Sequence, residues 1–381
     1  MGNDLIAACV YCGALLFGPD VPPVFGFTGE LAGAYGVYQR QILENGEETS
    51  RSDVTGKFPL LGFGWSKAAP EGLGAGTPAS EARVRFAFGV SHDQATEAEG
   101  TPGRLEVSGS GRFENWELFG RGAIGRHGSV EGGMAQRRHI VTDVVTLDGP
   151  FGEALTRYLV AGRQDFVLGW RQRFPDAEIG VRGEYAVLQG KLNNVGGALL
   201  TRGGIPGVGL DAAVHLGNWR LSAGGEYLSG TVERLDQYGP DFEQQSGNDP
   251  ASFYGAGLRG SGRFGIVVVD LGFFWERAKL PWVSFAVLGI EQRLFEAGFR
   301  PSSDSTNKGL DLRVRVKVAT GIYVQLFTRR GQASETVTFT DALDSRPPVT
   351  LAVRSPSRQQ YMYGLGVTFS LGSAGVPNPV P

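Results

Sequence analysis

The ten residues from Gly309 to Val318, GLDLRVRVKV, contain the pattern that decides the fold. The apolar positions are Leu310, Leu312, Val314, Val316 and Val318, and the charged positions between them are Asp311, Arg313, Arg315 and Lys317. Because successive side chains of a strand point to opposite faces, this alternation predicts a β-strand with one apolar and one charged face. About ten residues is also the length that a tilted strand needs to cross a bilayer.

The same alternation recurs along most of the chain, for example in residues 83–90, 116–124, 178–187 and 219–227. A half-buried strand of a soluble sandwich also alternates, so one segment cannot distinguish the two folds. The repetition of charge on the second face, together with many Gly, Ala and Ser residues, favours a barrel whose second face lines a lumen. No run of about 18 apolar residues follows the first stretch, which excludes spanning helices from the body of the chain.

Composition excludes several classes of function. The 59 glycines follow no triplet period, so the chain is not collagen-like. The net charge is −3 and the basic residues are scattered singly, which argues against a nucleic-acid partner. The four histidines have no metal-ligand spacing, and no glycine-rich stretch opens a helix that could hold a phosphate. We therefore expect no metal and no cofactor.

The sequence divides into three parts. Residues 1–23 contain the apolar stretch LIAACVYCGALLF and both cysteines, Cys9 and Cys12, and are interpreted as a signal-like segment. Residues 24–371 are predicted to form an all-β domain, a transmembrane antiparallel up-and-down β-barrel with long outer loops. Residues 372–381 form a tail rich in Pro and Gly.

The alternating segments give a count of fourteen strands. They are predicted at 25–38, 58–66, 82–91, 104–113, 116–125, 164–173, 178–190, 207–216, 219–230, 252–276, 282–294, 309–318, 321–330 and 359–371. The segment 252–276 is long enough for a hairpin turned at 260–262, and a further strand between 277 and 308 would then raise the count to sixteen. Short connections near 113–115, 174–177, 216–218 and 319–321 alternate with long polar ones, and short turns of such barrels face the periplasm.

The tryptophans provide a second indication of a membrane, because their rings prefer the boundary between lipid and water. They are Trp65, Trp116, Trp170, Trp219, Trp275 and Trp282. All six fall near predicted strand ends on the side of the short turns. We interpret them as one girdle at the periplasmic boundary.

The last alternating segment carries a resemblance to a known class. In residues 361–371, aromatic and aliphatic positions alternate with small or polar ones, and Gly364, Val367 and Phe369 match the spaced pattern of a closing strand. This resembles the final strand of porin-like bacterial outer-membrane β-barrels. The resemblance implies an outer-membrane location and passive transport. In porin-like proteins an outer loop often folds into the lumen, so the longest predicted connection, 126–163, is either such a constriction or an external hairpin.

The charged face supplies the candidate functional residues, which we expect to line the lumen and set selectivity. They are Arg83, Arg85, Arg121, Arg171, Arg182, Arg220, Arg313, Arg315, Lys317, Glu117, Glu184, Glu226 and Asp311. An open lumen would hold them in water as a field that orients solutes, whereas a narrow lumen would pair them. The first hypothesis is a channel for passive diffusion of small polar or ionic solutes, with the lipid bilayer as its surroundings.

Two alternatives remain. A plugged structural barrel would dock another envelope protein, or a second copy of the chain, through its lumen or loops. A hydrolase at the outer rim would use Ser91, His92 and Asp93, but three adjacent residues of a strand point alternately apart and cannot form a triad by themselves. We therefore predict that the protein is not an enzyme.

The sharpest expectation concerns the three cations Arg313, Arg315 and Lys317. They stand two residues apart, about 6.6 Å per step along a strand. This spacing predicts a ladder that favours anions if the lumen is open. The alternative is that the three cations pair with acids on neighbouring strands.

Overall fold

The computed structural model describes residues 25–44, 47–67, 80–97, 105–124, 127–147, 154–194, 197–238, 243–281, 299–341, 347–355 and 360–371. They form fifteen strands: β1 (Phe25–Glu44), β2 (Glu47–Lys67), β3 (Ser80–Glu97), β4 (Leu105–Ile124), β5 (Gly128–Leu147), β6 (Ala154–Arg173), β7 (Ala177–Asn194), β8 (Gly197–Leu216), β9 (Trp219–Tyr238), β10 (Glu243–Phe264), β11 (Val267–Leu280), β12 (Phe299–Ala319), β13 (Ile322–Asp341), β14 (Val349–Ser355) and β15 (Gln360–Leu371). The segments predicted as signal-like (1–23) and as a tail (372–381) lie outside the described residues.

The sheet closes on itself. Each strand from β1 to β13 pairs antiparallel with the next along the chain. β14 and β15 both lie between β13 and β1, one beyond the other, and so occupy a single strand position. The result is a closed fourteen-stranded barrel, which confirms the predicted fold class and the favoured count.

The two ends of the barrel differ. One end, here called the turn end, carries tight turns at 174–176, 217–218, 265–266 and 320–321. Gly217, Gly265 and Gly321 adopt positive φ values of 59°, 59° and 73° there, which a tight turn between strands requires. The first and last described strands also reach this end, since Phe27 pairs with Leu371. Tight turns of this kind are typical of the periplasmic side of such barrels, and we take the turn end as the periplasmic one.

Several predicted boundaries are wrong although the count is right. The expected turn at 113–115 lies inside the continuous strand β4, and the connection 126–163 is neither a lumen loop nor an external hairpin, since β5 and β6 of the wall occupy most of it. The segment 252–276 is indeed a hairpin, but it turns at Gly265–Ile266 rather than at 260–262. Strand residues also fill most of 39–57, 191–206 and 231–251, which lie between predicted strands and were interpreted as long polar connections. The predicted strand 282–294 falls outside the described residues.

The outer wall carries an apolar belt next to the turn end. On β9 the outward residues run from Trp219 through Leu221 to Tyr227, after which Ser229 and Thr231 follow. Eight residue steps at about 3.3 Å, tilted by about 40°, give the belt a height of about 20 Å. Leu168 is 68% exposed and Val208 58%, although both are aliphatic. An exposed apolar surface that encircles the barrel is the surface that lipid covers.

Aromatic residues mark both edges of this belt, not one. Trp170 and Trp219 lie near the turn end, and Trp65 is a residue of β2 near the same end whose side chain lies outside the described set. Trp116 and Trp275 lie eight residues from that end of β4 and β11, at the opposite edge. The prediction of one girdle is wrong for these two because it placed turns at 113–115 and beyond Trp275. Trp282 lies outside the described residues.

Tyrosines complete the second edge. Tyr185, Tyr227, Tyr254, Tyr361 and Tyr363 all point outward at this level, and the rings of Tyr227 and Tyr254 are 4.8 Å apart between centroids. Charged residues begin directly beyond, for example Arg277 two residues after Trp275. In the part of the chain that the structure describes, no helix is long and apolar enough to cross a membrane.

Candidate functional site

The register places all the predicted lumen residues on the inner face of the wall. On β7, for example, Val181 and Tyr185 are 51% and 48% exposed on the outside, whereas Glu184 between them is buried. Arg83 and Arg85 occupy inner positions of β3 opposite Gly64 and Gly62, but their side chains lie outside the described part of the structure. The described members of the predicted lumen set therefore share the inner face.

One side of the lumen is covered by ion pairs, and we call it the ion-pair wall (inner faces of β4–β9). Arg171 is at its centre, with a side chain only 8% exposed. Its Nε atom lies 3.1 Å from Oε2 of Glu131, and its Nη1 atom lies 2.6 Å from Oδ2 of Asp211 and 3.5 Å from Oε2 of Glu178. Arg121 reaches the same Glu131 oxygen at 3.1 Å. Charges this deeply buried are stable only when they are paired.

The pairing continues towards the middle of the barrel. Arg182 donates to Glu184, and its Nη2 atom lies 3.6 Å from Oε2 of Glu226. Arg163 contacts Glu226 at 3.8 Å and Asp165 at 2.5 Å. Glu226 therefore joins side chains from β6, β7 and β9, which ties together strands that are not neighbours.

This wall is electrically balanced at the level of the apolar belt. Its inward cations are Arg121, Arg137, Arg163, Arg171, Arg173, Arg182 and Arg220. Its inward acids are Glu117, Glu131, Asp165, Glu178, Glu184, Asp211 and Glu226. Seven against seven leaves no net charge facing the lumen.

An apolar cluster covers the same side of the lumen above the ion pairs. Its members are Ala186, Leu188, Ile205, Leu228, Val232 and Ala251, all at most 1% exposed, with Phe253 and Leu280 packed against them. The guanidinium of Arg163 lies 4.6 Å from the ring centre of Phe253, which connects β6 to β10 across the barrel. Sequence reasoning missed this cluster. The sequence did contain an indication of it, because Ala186 and Leu188 stand two and four residues after Glu184 and so share its inward face.

The opposite side, which we call the cation-rich wall, is different. It comprises the inner faces of 255–263, 268–276, 309–317 and 323–331 on β10–β13. Its cations are Arg259, Arg263, Arg313, Arg315, Lys317 and Arg329, and its acids are Asp270, Glu276 and Asp311. Six against three leaves an excess of positive charge. Several of these side chains are also accessible, and that of Arg329 is 48% exposed.

The structure corrects the predicted ladder on this wall. Arg315 is buried and its Nη2 atom lies 3.2 Å from Oδ2 of Asp270, so the middle cation is paired with an acid. Arg313 lies against the Phe327 ring, with Cζ 5.8 Å from the ring centre, and Lys317 is half-buried. The ladder of three equivalent cations is therefore interrupted.

Arg329 is one of three cations of this wall, with Arg259 and Arg263, that the sequence interpretation did not select. Its Nε and Nη2 atoms bind the two oxygens of Asp311 at 2.6 and 3.1 Å, and its Cζ atom lies 4.5 Å from the ring centre of Phe274. It follows Gln325 and Phe327 on the inward phase of β13, next to the outward Arg330. Its alternation with the outward residues could have identified Arg329 as a lumen residue, but Arg329 lies at the end of the predicted strand 321–330.

Two other kinds of candidate chemistry are a hydrolase at the rim and a metal site. Ser91, His92 and Asp93 are consecutive residues of β3, and their side chains lie outside the described set. Within the described residues, no three His, Cys, Asp or Glu side chains form a group that could hold a metal ion.

A closed, even-stranded antiparallel barrel with an apolar belt, two aromatic edges and a charged interior is the architecture of proteins that span the outer membrane. The chain is a bacterial outer-membrane β-barrel. No protein-family model matches this barrel, and neither does any curated protein.

Solved barrels resemble it over most of their length. The toluene transporter TodX of P. putida is 9% identical, with a TM-score of 0.48 over 94% of this chain and 91% of that one. A FadL homologue of Pseudomonas aeruginosa is 9% identical, with a TM-score of 0.46 over 90% of each chain. The translocator domain of the autotransporter NalP from Neisseria meningitidis is 10% identical, with a TM-score of 0.42 over 97% and 95%.

Proposed function

We propose that this outer-membrane barrel is a passive channel for small polar or ionic solutes, and that it prefers anions. The observation that carries the proposal is the contrast between the two sides of the lumen. The ion-pair wall is buried and neutral, whereas the cation-rich wall is partly accessible and carries six cations against three acids. A lumen lined in this way favours negatively charged solutes without binding them tightly.

The solute path follows β10–β13. Arg259, Glu276 and Arg329 offer polar contacts along this wall, and all three are at least partly accessible. Because Arg329 is already held by Asp311, it presents a charge in fixed position and loses little side-chain freedom when a solute passes. The apolar cluster on the other side narrows the space through which a solute can travel.

A second function is favoured by that same cluster. Inward residues that are fully buried, such as Leu188 and Leu228, are unusual in a water-filled pore. If the lumen is filled across its whole width, the barrel is a structural protein that docks another envelope protein or a second copy of itself.

Conductance in planar bilayers separates these functions. The channel predicts discrete conductance steps from purified, folded protein, and a silent barrel with normal heat-modifiable migration would contradict it. The variant Gly272→Phe places a ring on the cation-rich wall, where the site of a new Cβ has Arg259 Nε 3.6 Å away. It should lower the step size by about half or more, since conduction depends on the width of the constriction. The matched control Gly183→Phe adds the same ring to the lipid face and should leave the steps unchanged.

A further inference from the structure

A groove of about 760 Å³ opens on the wall where β2, β1, β15, β13 and β12 lie side by side. Most of its lining side chains point outward, to the lipid. The residues of the groove are Gly33, Ala34, Tyr35, Lys57, Pro59, Leu312, Val314, Leu326, Phe327, Thr328, Tyr363, Gly364 and Leu365. The groove thus crosses the seam at which the first and last strands meet.

The groove forms where the outward residues of β1 and β2 are small or short. A Cβ at Gly33 would have open space within 4 Å, and Pro59 lies beside it on β2. Elsewhere on these strands the belt is filled by large outward side chains such as Leu31, Leu61 and Phe63. An apolar trough bounded by larger residues is the shape that accepts one hydrocarbon chain along the barrel wall.

The outer end of the groove is polar and positively charged. Lys57 is exposed there, next to Tyr35, with which it pairs across β1 and β2. The rings of Tyr35 and Tyr363 are 5.6 Å apart, and Tyr361 stacks on Tyr363 at 6.1 Å. Arg330, which is exposed, pairs with Tyr361 across β13 and β15. The lining residues include no acid.

We infer that this groove binds a phosphorylated lipid of the outer leaflet, with an acyl chain along Gly33 and Pro59 and the phosphate at Lys57, beside Tyr35. The outer end is the correct depth for a headgroup, because the tyrosines mark the edge of the belt. Cations and hydroxyl groups at that depth are the groups that recognise lipid phosphate. A second copy of the chain would not explain why the only charge in the lining is positive.

Native mass spectrometry of the detergent-purified barrel tests the inference. The probes are dioleoyl phosphatidic acid and dioleoylglycerol, which have the same chains and differ in the phosphate. We expect the phosphorylated lipid to bind and the neutral one to bind much more weakly. Lys57→Gln should weaken binding of phosphatidic acid about fivefold, the effect of one cation near a headgroup. Lys191→Gln removes an exposed outward cation from β7, away from the groove, and should have no effect.

A second pair of variants tests the acyl chain. Gly33→Leu fills the groove and should weaken binding about fivefold or more, because the chain loses its apolar contact. Gly183→Leu adds the same side chain to the lipid face of β7 and should bind as wild type does. Equal binding of both lipids, or equal effects of Lys57→Gln and Lys191→Gln in folded barrels, would overturn the inference. A dimer lost only in Gly33→Leu would assign the groove to a second copy and overturn it as well.

Discussion

At the scale of the residue, buried arginines hold the ion-pair wall together. Arg171 alone contacts three carboxylates, those of Glu131, Glu178 and Asp211. Each of these acids belongs to a different strand, so one guanidinium connects four strands. If such an acid loses its partner but stays buried, nothing offsets the free energy of removing its charge from water.

The variant Arg171→Gln should therefore destabilise the barrel strongly, by about 3–5 kcal/mol, the usual cost of breaking a buried pair by removing one partner. Urea unfolding in lipid vesicles, followed by tryptophan fluorescence, measures this free energy. Arg202→Gln is the control, because Arg202 is exposed on the outer face of β8. Equal stability of the two variants would show that the ion-pair wall contributes nothing to the fold.

At the scale of the element, the strands are about twice as long as the bilayer requires. β9 spans 20 residues, but beyond Tyr227 its outward positions are Ser229, Thr231, Glu233 and Leu235, of which only the last is apolar. Beyond the belt the outward positions of β9 are mostly polar, while Leu228 and Val232 face inward, so a pattern with apolar residues outside and charged residues inside no longer marks the strand. This is why the sequence predicted the belt segments of most strands and assigned most of the outer extensions to loops.

β5 was missed for a related reason. Its belt segment contains Gly132, Gly133, Met134 and Ala135, whose two faces hardly differ in polarity. The ion pairs could not be predicted either, because they depend on register. Arg171 and Asp211 are 40 residues apart and meet only because β6 and β8 flank β7. Alternation predicted which residues face inward, but not their partners.

Spin labels on β5 test whether this segment is a wall strand. In a background with Cys9 and Cys12 replaced by Ser, Met134→Cys should place a label in lipid and Ala135→Cys should place one in the lumen. Because oxygen dissolves preferentially in the bilayer, collision with oxygen should be high at 134 and low at 135. A loop folded into the lumen, as the sequence suggested for 126–163, would give no such contrast.

At the scale of the whole molecule, the two sides of the lumen have different roles. The ion-pair wall and the apolar cluster give one half of the barrel a packed, neutral interior. The cation-rich wall leaves accessible charge on the other half, along β10–β13. This difference between the two sides predicts that both the conductance and the ion selectivity depend on the cation-rich wall, that is, on β10–β13.

The reversal potential in a salt gradient tests this account most directly. Across a tenfold KCl gradient, the wild-type channel should reverse at a potential whose sign indicates preference for chloride. Replacing Arg313 and Lys317 together with Gln should move the potential towards cation preference, because both belong to the excess charge of the cation-rich wall. Lys191→Gln, on the outside of the barrel, should leave it unchanged. A wild-type channel that prefers potassium, or a double variant that reverses where wild type does, would contradict the account.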